Sequence, residues 1–179
     1  LTEGGNGEMW MASNTHGVVR IQGSGHSLNG YTLSAYSVVN GKLNSNYADC
    51  IYKDIEGRIW VGTGGSGLSL YDAVEDRFLP VHQLWNLPGD AVTSIQSDKK
   101  GDLWLGTNAG LLKLTVPKDL QNVTYRLYTT SDGLQDNLFN RGASCEAPDG
   151  ELFFGGHRGY NSFYPDEQDE QVFSSPVVI

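Results

Sequence analysis

The sequence predicts an all-β fold, a β-propeller of about four blades that forms a partial ring of four-stranded antiparallel sheets. The first observation is a repeated pattern of Gly, polar, apolar, aromatic and apolar residues, with its aromatic member at Trp10, Trp60, Trp104 and Phe153. The steps of 50, 44 and 49 residues suit propeller blades and are too long for leucine-rich or tetratricopeptide units. The second observation is that 23 of 179 residues are glycine, spread between short apolar runs as many turns require.

Each repeat divides into four runs, which we label A to D from the expected inner edge of the blade to its outer edge. The B run carries the aromatic residue, and each C run opens with a glycine. Alternation of apolar and polar residues is typical of strands. The predicted C runs start at Gly17, Gly67, Gly110 and Gly159; the A runs are Ala48–Ile51, Ala91–Ile95 and Gly142–Cys145; the D runs are Thr32–Tyr36, Arg77–Val81 and Val123–Tyr128. The chain is therefore expected to read BCD, ABCD, ABCD and ABC.

The turns between the A and B runs share an Asp and a Gly. They lie at Asp54 to Gly57, Asp98 to Gly101 and Asp149-Gly150. Glycine supplies the positive φ that tight hairpins need, and Asp caps its own turn through its side chain. These segments therefore indicate hairpins.

The repeated aromatics are expected to pack between neighbouring sheets, because one aromatic at a fixed place in every blade serves that purpose. Stacking of sugars on these rings is the weaker interpretation. Cys50 and Cys145 have neither a metal-binding spacing nor a disulfide framework, and both are expected to be small buried apolar residues.

Composition excludes several classes of partner. The formal net charge of −9 repels nucleic acid and anionic membranes. No run approaches the roughly 20 apolar residues that a membrane-spanning helix needs, and no signal peptide is recognisable. The chain begins at Leu1 and not at Met, so we expect it to be part of a longer protein.

Two segments resemble the two-component regulator propeller repeat. Residues 98–114 read Asp-x-x-Gly-Asp-Leu-Trp-Leu-Gly-Thr-Asn-x-Gly-Leu-x-x-Leu, and residues 54–70 are a second copy with a longer loop at Gly64-Gly65-Ser66. Residues 154–165 resemble a closing repeat, and residues 166–179 resemble a linker and the start of the immunoglobulin-like triple-tyrosine domain. The resemblance implies propeller blades over 1–165. The first repeat departs from the pattern, with Ala12-Ser13 in place of Gly-Thr and an insertion over 23–30.

In that family such propellers form the periplasmic sensor region of membrane-anchored hybrid histidine kinases, which often respond to oligosaccharides from complex glycans. The resemblance thus implies a ligand-sensing module of a two-component system, located in the periplasm. No kinase, phospho-acceptor or DNA-binding segment is recognisable, so we expect this chain to bind a ligand without cofactor and not to be an enzyme.

Ligand contacts are expected on one face of the propeller. Successive antiparallel strands reverse direction, so the B–C loops and the D–A loops lie at the same end of the blades. These loops supply amides, hydroxyls, imidazoles and guanidinium groups, a mixture suited to sugars. The candidate ligand-binding residues are Asn14, His16, Trp85, Asn108, Arg141, His157 and Arg158.

Two of these candidates have specific alternatives. Trp85 lies outside the repeating aromatic position, so it could stack on a sugar ring or cover the end of the core. Arg141 and Arg158, with His157, could receive a uronate or another carboxylate, or they could pair with nearby acids. Asn108 and the other loop amides could equally form turns.

Three further hypotheses remain from the sequence. A propeller lyase is disfavoured because neither His16 nor His157 has an acidic residue at metal-ligand spacing. A propeller that binds protein is the main alternative to a glycan sensor, although the signatures of the common scaffold families are missing. An open arc also exposes apolar faces and strand edges, so we expect this chain to self-associate.

Overall fold

A computed structural model describes residues 1–5, 7–23 and 30–167 of the chain. They form four separate antiparallel sheets in chain order, each with its strands side by side in sequence order. Three sheets have four strands and the last has three. This up-and-down arrangement confirms the predicted propeller arc, and we number its sheets as blades 1 to 4.

Blade 1 corrects one expectation, because it has an A strand. Residues Thr2–Glu3 pair with Trp10 and Met9 at the inner edge of the sheet. A strand of two residues is too short to show any alternation, which is why the sequence pattern predicted only B, C and D. The strands of blade 1 are β1 Thr2–Glu3, β2 Met9–Ser13, β3 Gly17–Gly23 and β4 Tyr31–Tyr36; those of blade 2 are β5 Ala48–Lys53, β6 Ile59–Thr63, β7 Gly67–Asp72 and β8 Arg77–Leu79.

Blades 3 and 4 follow the prediction closely. The strands of blade 3 are β9 Val92–Ser97, β10 Leu103–Thr107, β11 Leu111–Thr115 and β12 Thr124–Tyr128; those of blade 4 are β13 Phe139–Glu146, β14 Leu152–Gly156 and β15 Gly159–Phe163. A short helix, α1 Val81–Leu84, and two 3₁₀ turns, Thr130–Asp132 and Pro165–Glu167, complete the elements. Because Pro80 interrupts strand pairing, Val81 lies in α1 and not in the predicted D run.

Neighbouring blades pack face to face through apolar clusters. Each repeated Trp lies in the cluster between its own blade and the following one. Trp10 packs with Tyr36 and Phe78 between blades 1 and 2. Trp60 lies among leucines of blades 2 and 3, and Trp104 packs with Phe154 and Phe163 of blade 4. All three indoles are at most 1% exposed, so the predicted packing role is confirmed for them.

The hairpins between the A and B strands carry a buried acceptor in blades 2 and 3. Asp54 accepts the Trp60 Nε1 hydrogen at 2.8 Å and the backbone N–H groups of Glu56 and Arg58. Asp98 makes the equivalent bonds in blade 3, with 3.0 Å to Trp104 Nε1. Glycines end these turns with positive φ, at Gly57 and Gly101. The predicted turn chemistry is therefore confirmed, and the Asp also anchors the core indole.

The last blade corrects two expectations. Phe153 is only half-buried, with Tyr160 as its ring neighbour at 6.1 Å, and Cys145 opposite Phe153 is exposed. Both side chains lie on the face that would meet a following blade. Cys50, by contrast, packs against a core cluster, and burial raises the pKa of its thiol to about 12. Burial of a cysteine or aromatic here thus depends on a neighbouring sheet that the local sequence does not reveal.

Both ends of the arc are open faces. Met9 and Met11 of blade 1 are 39% and 41% exposed, although the equivalent positions of blade 3, Leu103 and Leu105, lie in the core between blades 2 and 3, and Leu33 on the same face of blade 1 is 68% exposed. Of the second predicted domain, 166–179, all but the first two residues lie outside the described residues. Within the described part of the chain no helix is long and apolar enough to cross a membrane.

Candidate ligand-binding site

The inner strands β5, β9 and β13 pack against one another and so surround the axis of the arc. Each has an irregularity in its pairing near its start: between Ala48 and Cys50 in β5, opposite Gly106 and Thr107 in β9, and between Phe139 and Ser144 in β13. Extra residues of this kind form β-bulges, which re-aim side chains. Asp49, Thr93 and Arg141 lie in these three segments.

Arg141 connects three blades at this end of the axis. Its Nε atom lies 3.0 Å from Asp49 Oδ2 of blade 2, and its Nη1 atom donates to Asn14 Oδ1 of the blade 1 loop at 3.0 Å. The Arg141 side chain is 55% exposed, whereas the Asp49 side chain is 1% exposed. A fixed buried carboxylate thus holds a guanidinium group that is open to solvent. We call Asn14, Asp49 and Arg141 the axial cluster.

The electrostatics of the axial cluster depend on Arg141. Burial raises the pKa of Asp49, and the charge of Arg141 opposes that rise. Neither Asp49 oxygen makes a well-aligned hydrogen bond within the described residues, so the ion pair is the main compensation for the buried charge. The cluster is therefore a pair of opposite charges, one buried and one accessible.

Two neighbouring residues shape the cluster. A Cβ atom on Gly64 would lie 3.0 Å from Asp49 Oδ2 and 3.4 Å from Arg141 Nη2, so glycine leaves the space that the ion pair needs. The Gly64 N–H donates to the Tyr47 carbonyl at 2.9 Å. Tyr47 is 56% exposed and lies two residues before Asp49 in the sequence. Its aromatic ring is therefore accessible and close to the cluster along the chain.

The predicted residues divide into two groups. Asn14 and Arg141 are brought together as described. Asn108 is engaged within the scaffold, because its Oδ1 accepts the N–H groups of Asp90 and Ala91 and its Nδ2 donates to the Asp90 carboxylate. His16 is exposed, and its Nδ1 lies 2.7 Å from Thr15 Oγ1. Asn108 thus fixes two loops to each other, which is the turn-forming alternative.

Of the remaining predicted residues, Arg158 and Trp85 contact residues outside the axial cluster. Arg158 is 78% exposed, with its Nε 4.0 Å from Asp136, and its backbone N–H donates to Gln135; His157 beside it is exposed. Trp85 follows α1 and is half-buried, 6.1 Å from Trp60 between ring centroids. Trp85 packs against the core between blades 2 and 3, so it covers that core rather than standing free for a ligand.

Sequence reasoning missed Asp49 and Tyr47. Asp49 lies inside an apolar strand pattern, and its partner comes from a distant repeat, so no local signal marks it. The only available signal was its position, since an acid at the inner edge of a blade needs a partner across the axis. Among the described residues there is no group of three or more His, Cys, Asp or Glu placed to hold a metal ion.

The strand order and the axial cluster define an arc of a β-propeller with a polar axial face. Residues 42–65 and 86–109 match the two-component regulator propeller family, and they overlap the two copies identified from the sequence. These two segments are therefore similar to two-component regulator propeller repeats. Histidine kinase P4 of Formosa agariphila is 31% identical over 90 residues, which are 50% of this chain and 6% of that protein.

Solved structures share the fold. The extracellular domain of a hybrid two-component system from B. thetaiotaomicron aligns with a TM-score of 0.62 and 19% identity, over 92% of this chain and 27% of that one. The extracellular domain of a one-component system from the same organism aligns with a TM-score of 0.70 and 19% identity, over 93% of this chain and 23% of that one. The chain thus spans about a quarter of each.

Proposed function

We propose that this chain is a ligand-sensing propeller segment of a two-component sensor and that it lies in the periplasm. We further propose that its axial cluster binds an oligosaccharide. The observation that carries the proposal is the contact of Arg141 with Asn14 and Asp49, which joins three blades at an accessible point. Two segments match the two-component regulator propeller family, and the similar solved structures are extracellular domains of a hybrid two-component system and of a one-component system.

The chemistry of the axial cluster suits sugar hydroxyl groups. The accessible Arg141 guanidinium donates, and the Asn14 amide both donates and accepts, so neighbouring hydroxyls of one sugar ring can be satisfied together, while the buried Asp49 carboxylate holds the guanidinium in place. Asp49 is held by burial, so the cluster would bind with little loss of side-chain freedom. The exposed ring of Tyr47 offers an apolar face of the kind on which sugars stack.

A ligand at this point would also have a route to signalling. Asn14, Asp49 and Arg141 belong to three blades, so a sugar that bridges them favours one relative position of those blades over others. We propose that the intact protein is anchored in a membrane and passes this change to a kinase, and that the chain itself binds without catalysis.

The test is a thermal-shift panel of plant, host and microbial oligosaccharides on the chain. A bound sugar stabilises the folded state, so a specific oligosaccharide raises the melting temperature. Arg141→Ala abolishes the increase, whereas the matched control Arg77→Ala, an exposed arginine on the outer strand β8, retains it. A panel without any response contradicts the glycan proposal and favours a propeller that binds protein.

A further inference from the structure

The two ends of the arc expose the two different halves of a blade–blade contact. In each internal contact the earlier blade contributes the face that carries its repeated aromatic residue, and the later blade contributes its opposite face. Among the described residues no blade follows blade 4 and none precedes blade 1. Blade 4 therefore exposes an aromatic-bearing face, and blade 1 exposes a face of the opposite kind.

The exposed face of blade 1 is apolar across three strands. It carries five side chains of β2, β3 and β4, namely Met9, Met11, Val19, Ile21 and Leu33, which stand beside one another in the strand pairing. All five are exposed or half-buried. A contiguous apolar surface of this kind marks an interaction site. We call these five residues the blade 1 face.

The exposed face of blade 4 is smaller and partly aromatic. Phe153 lies on it with Tyr160, 6.1 Å away between ring centroids, and Cys145 stands opposite Phe153 on the inner strand. Tyr160 is 41% exposed. We call these three residues the blade 4 face.

The internal contacts show where the repeated aromatic ring packs on the following blade. It packs on the C-strand residue that comes just after the partner of that blade's own aromatic. Phe163 holds this position in blade 4 and lies 4.6 Å from the Trp104 ring of blade 3. Tyr71 holds it in blade 2 and lies 4.7 Å from the Trp10 ring of blade 1. In blade 1 the same position is Ile21, at the centre of the blade 1 face.

The pairing of unlike end faces reproduces an internal contact. Two blade 1 faces packed together would lack the aromatic ring, and two blade 4 faces packed together would leave the larger apolar surface in water. Blade 4 against blade 1 instead places Phe153 on Ile21 and covers both faces. The methionines suit this contact, because a flexible thioether fills gaps beside an aromatic ring.

We propose that two copies of this chain associate through their end faces, with the blade 4 face of each copy packed against the blade 1 face of the other. Such a contact joins unlike surfaces, so it produces either a closed ring or an open chain of copies. Two copies supply eight blades, within the range of about four to eight blades in closed propellers, and three copies would exceed it. The assembly is therefore a closed dimer.

Contacts between inner strands indicate which side chains meet across this interface. In blade 2, Tyr52 stands opposite Trp60, and its hydroxyl lies 2.8 Å from Ser97 Oγ of blade 3. Ser97 in turn stands opposite Leu103, the residue before the blade 3 tryptophan. The inner-strand partner of one aromatic thus meets the inner-strand partner of the residue that precedes the next aromatic.

The same rule pairs two residues at the ends of the arc. Cys145 is the inner-strand partner of Phe153 in blade 4. Glu3 is the inner-strand partner of Met9, the residue before the blade 1 tryptophan. Both Cys145 and Glu3 are exposed. Cys145 of one copy should therefore lie beside Glu3 of the other.

The first test is cross-linking of the Glu3→Cys variant with a short bismaleimide. The chain's other cysteine, Cys50, does not compete, because burial raises the pKa of its thiol to about 12. The variant should give a covalent dimer whose linked peptides contain residues 3 and 145. Adding Cys145→Ser should abolish it, and Val74→Cys, in the exposed turn between β7 and β8, should give none. A Glu3→Cys variant without this link would overturn the proposal.

The second test distinguishes unlike from like pairing by light scattering. The unaltered chain should have twice the monomer mass of 19.5 kDa. Ile21→Glu disrupts the blade 1 face and Phe153→Glu the blade 4 face, so each variant alone should be monomeric. Their equimolar mixture should contain a dimer, because each variant keeps the face that the other has lost.

Three outcomes of this second test would contradict the proposal. They are a monomeric unaltered chain, an assembly larger than a dimer, and a Phe153→Glu variant that remains dimeric, which would mean that blade 1 faces pair with each other. The cross-linking test substitutes only exposed residues. It therefore decides alone if Ile21→Glu or Phe153→Glu does not fold.

Discussion

Blades 2 and 3 contain the Asp of the repeat pattern, whereas blades 1 and 4 lack it. The inner blades have a neighbour on both faces, and each has a buried Asp that accepts its Trp N–H. The outer blades have one open face each, and Gly4 or Ala147 stands where that Asp would be. The Asp of the repeat pattern is therefore present in the two blades that pack against a neighbouring blade on both faces.

The comparison also separates scaffold from candidate function. Asp54, Asp98, Trp60 and Trp104 are scaffold, since each indole N–H donates to the Asp of its own blade. Asp49 and Arg141, by contrast, lie in irregular segments of the inner strands. We therefore expect a ligand to bind where the strands depart from the regular repeat.

The largest expected effect concerns the open faces of the outer blades. We expect the chain to self-associate, with a solution mass at least twice that of the monomer, because exposed sheet faces seek a partner. Leu33→Glu, on the blade 1 face where Leu33 is 68% exposed, should shift the chain toward the monomer in multi-angle light scattering.

The control for this prediction is Val74→Glu. Val74 is 90% exposed but lies in the turn between β7 and β8, away from either open face. It should leave the mass unchanged. A well-behaved monomer for the unaltered chain would contradict the prediction.

The second prediction tests the scaffold of the inner blades. Asp98→Ala should lower the free energy of unfolding by about 2–4 kcal/mol, because it leaves the Trp104 N–H and two turn N–H groups without an acceptor. Urea denaturation measures this loss.

A double-mutant cycle sharpens the test. Asp98→Ala with Trp104→Phe reproduces the pair that blade 4 has at Ala147 and Phe153. The double variant should lose about 1 kcal/mol less than the sum of the single variants, because removing both partners leaves fewer unpaired groups. Simple additivity would show that the hydrogen bond is unimportant.

The sequence predicted the parts of this fold that repeat locally. The Trp positions, the Asp and Gly turns and most strands follow from patterns within one blade. The two-residue β1, the exposure of Phe153 and the pairing of Asp49 with Arg141 do not, since each depends on another blade or on its absence. Site prediction accordingly brought Asn14 and Arg141 together but missed Asp49.

The third prediction concerns the axial cluster. Arg141→Ala should destabilise the chain by about 1–2 kcal/mol at neutral pH, because it leaves the buried Asp49 carboxylate without its cation. The loss is smaller than for a fully buried pair because Arg141 is 55% exposed. Adding Asp49→Asn to the Arg141→Ala variant should restore most of the stability. Urea denaturation of the double variant measures this recovery.

The pH dependence of this effect has a definite sign. The pKa of Asp49 is raised in the folded state, and loss of Arg141 raises it further, so the folded variant takes up a proton more readily than the unfolded chain. The difference in stability between Arg141→Ala and the unaltered chain should therefore be largest at neutral pH and shrink as pH falls through the carboxyl range. A difference independent of pH would contradict the assignment.

The smallest expected effect is that of Arg158→Ala. Arg158 is 78% exposed and 4.0 Å from Asp136, so its removal should change the free energy of unfolding by less than about 0.5 kcal/mol. A loss comparable with that of Arg141→Ala, measured in the same urea titration, would mean that Arg158 belongs to the scaffold after all.

The most direct test of the proposed sensing role is hydrogen–deuterium exchange of the chain with and without the oligosaccharide that gives the strongest thermal shift. Binding at the axial cluster predicts slower exchange in peptides that contain Asn14, Asp49, Gly64 and Arg141, and unchanged exchange in the A–B turns at Asp54 and Asp98. Slower exchange confined to other peptides, or none at all, would contradict binding of the sugar at the axial face.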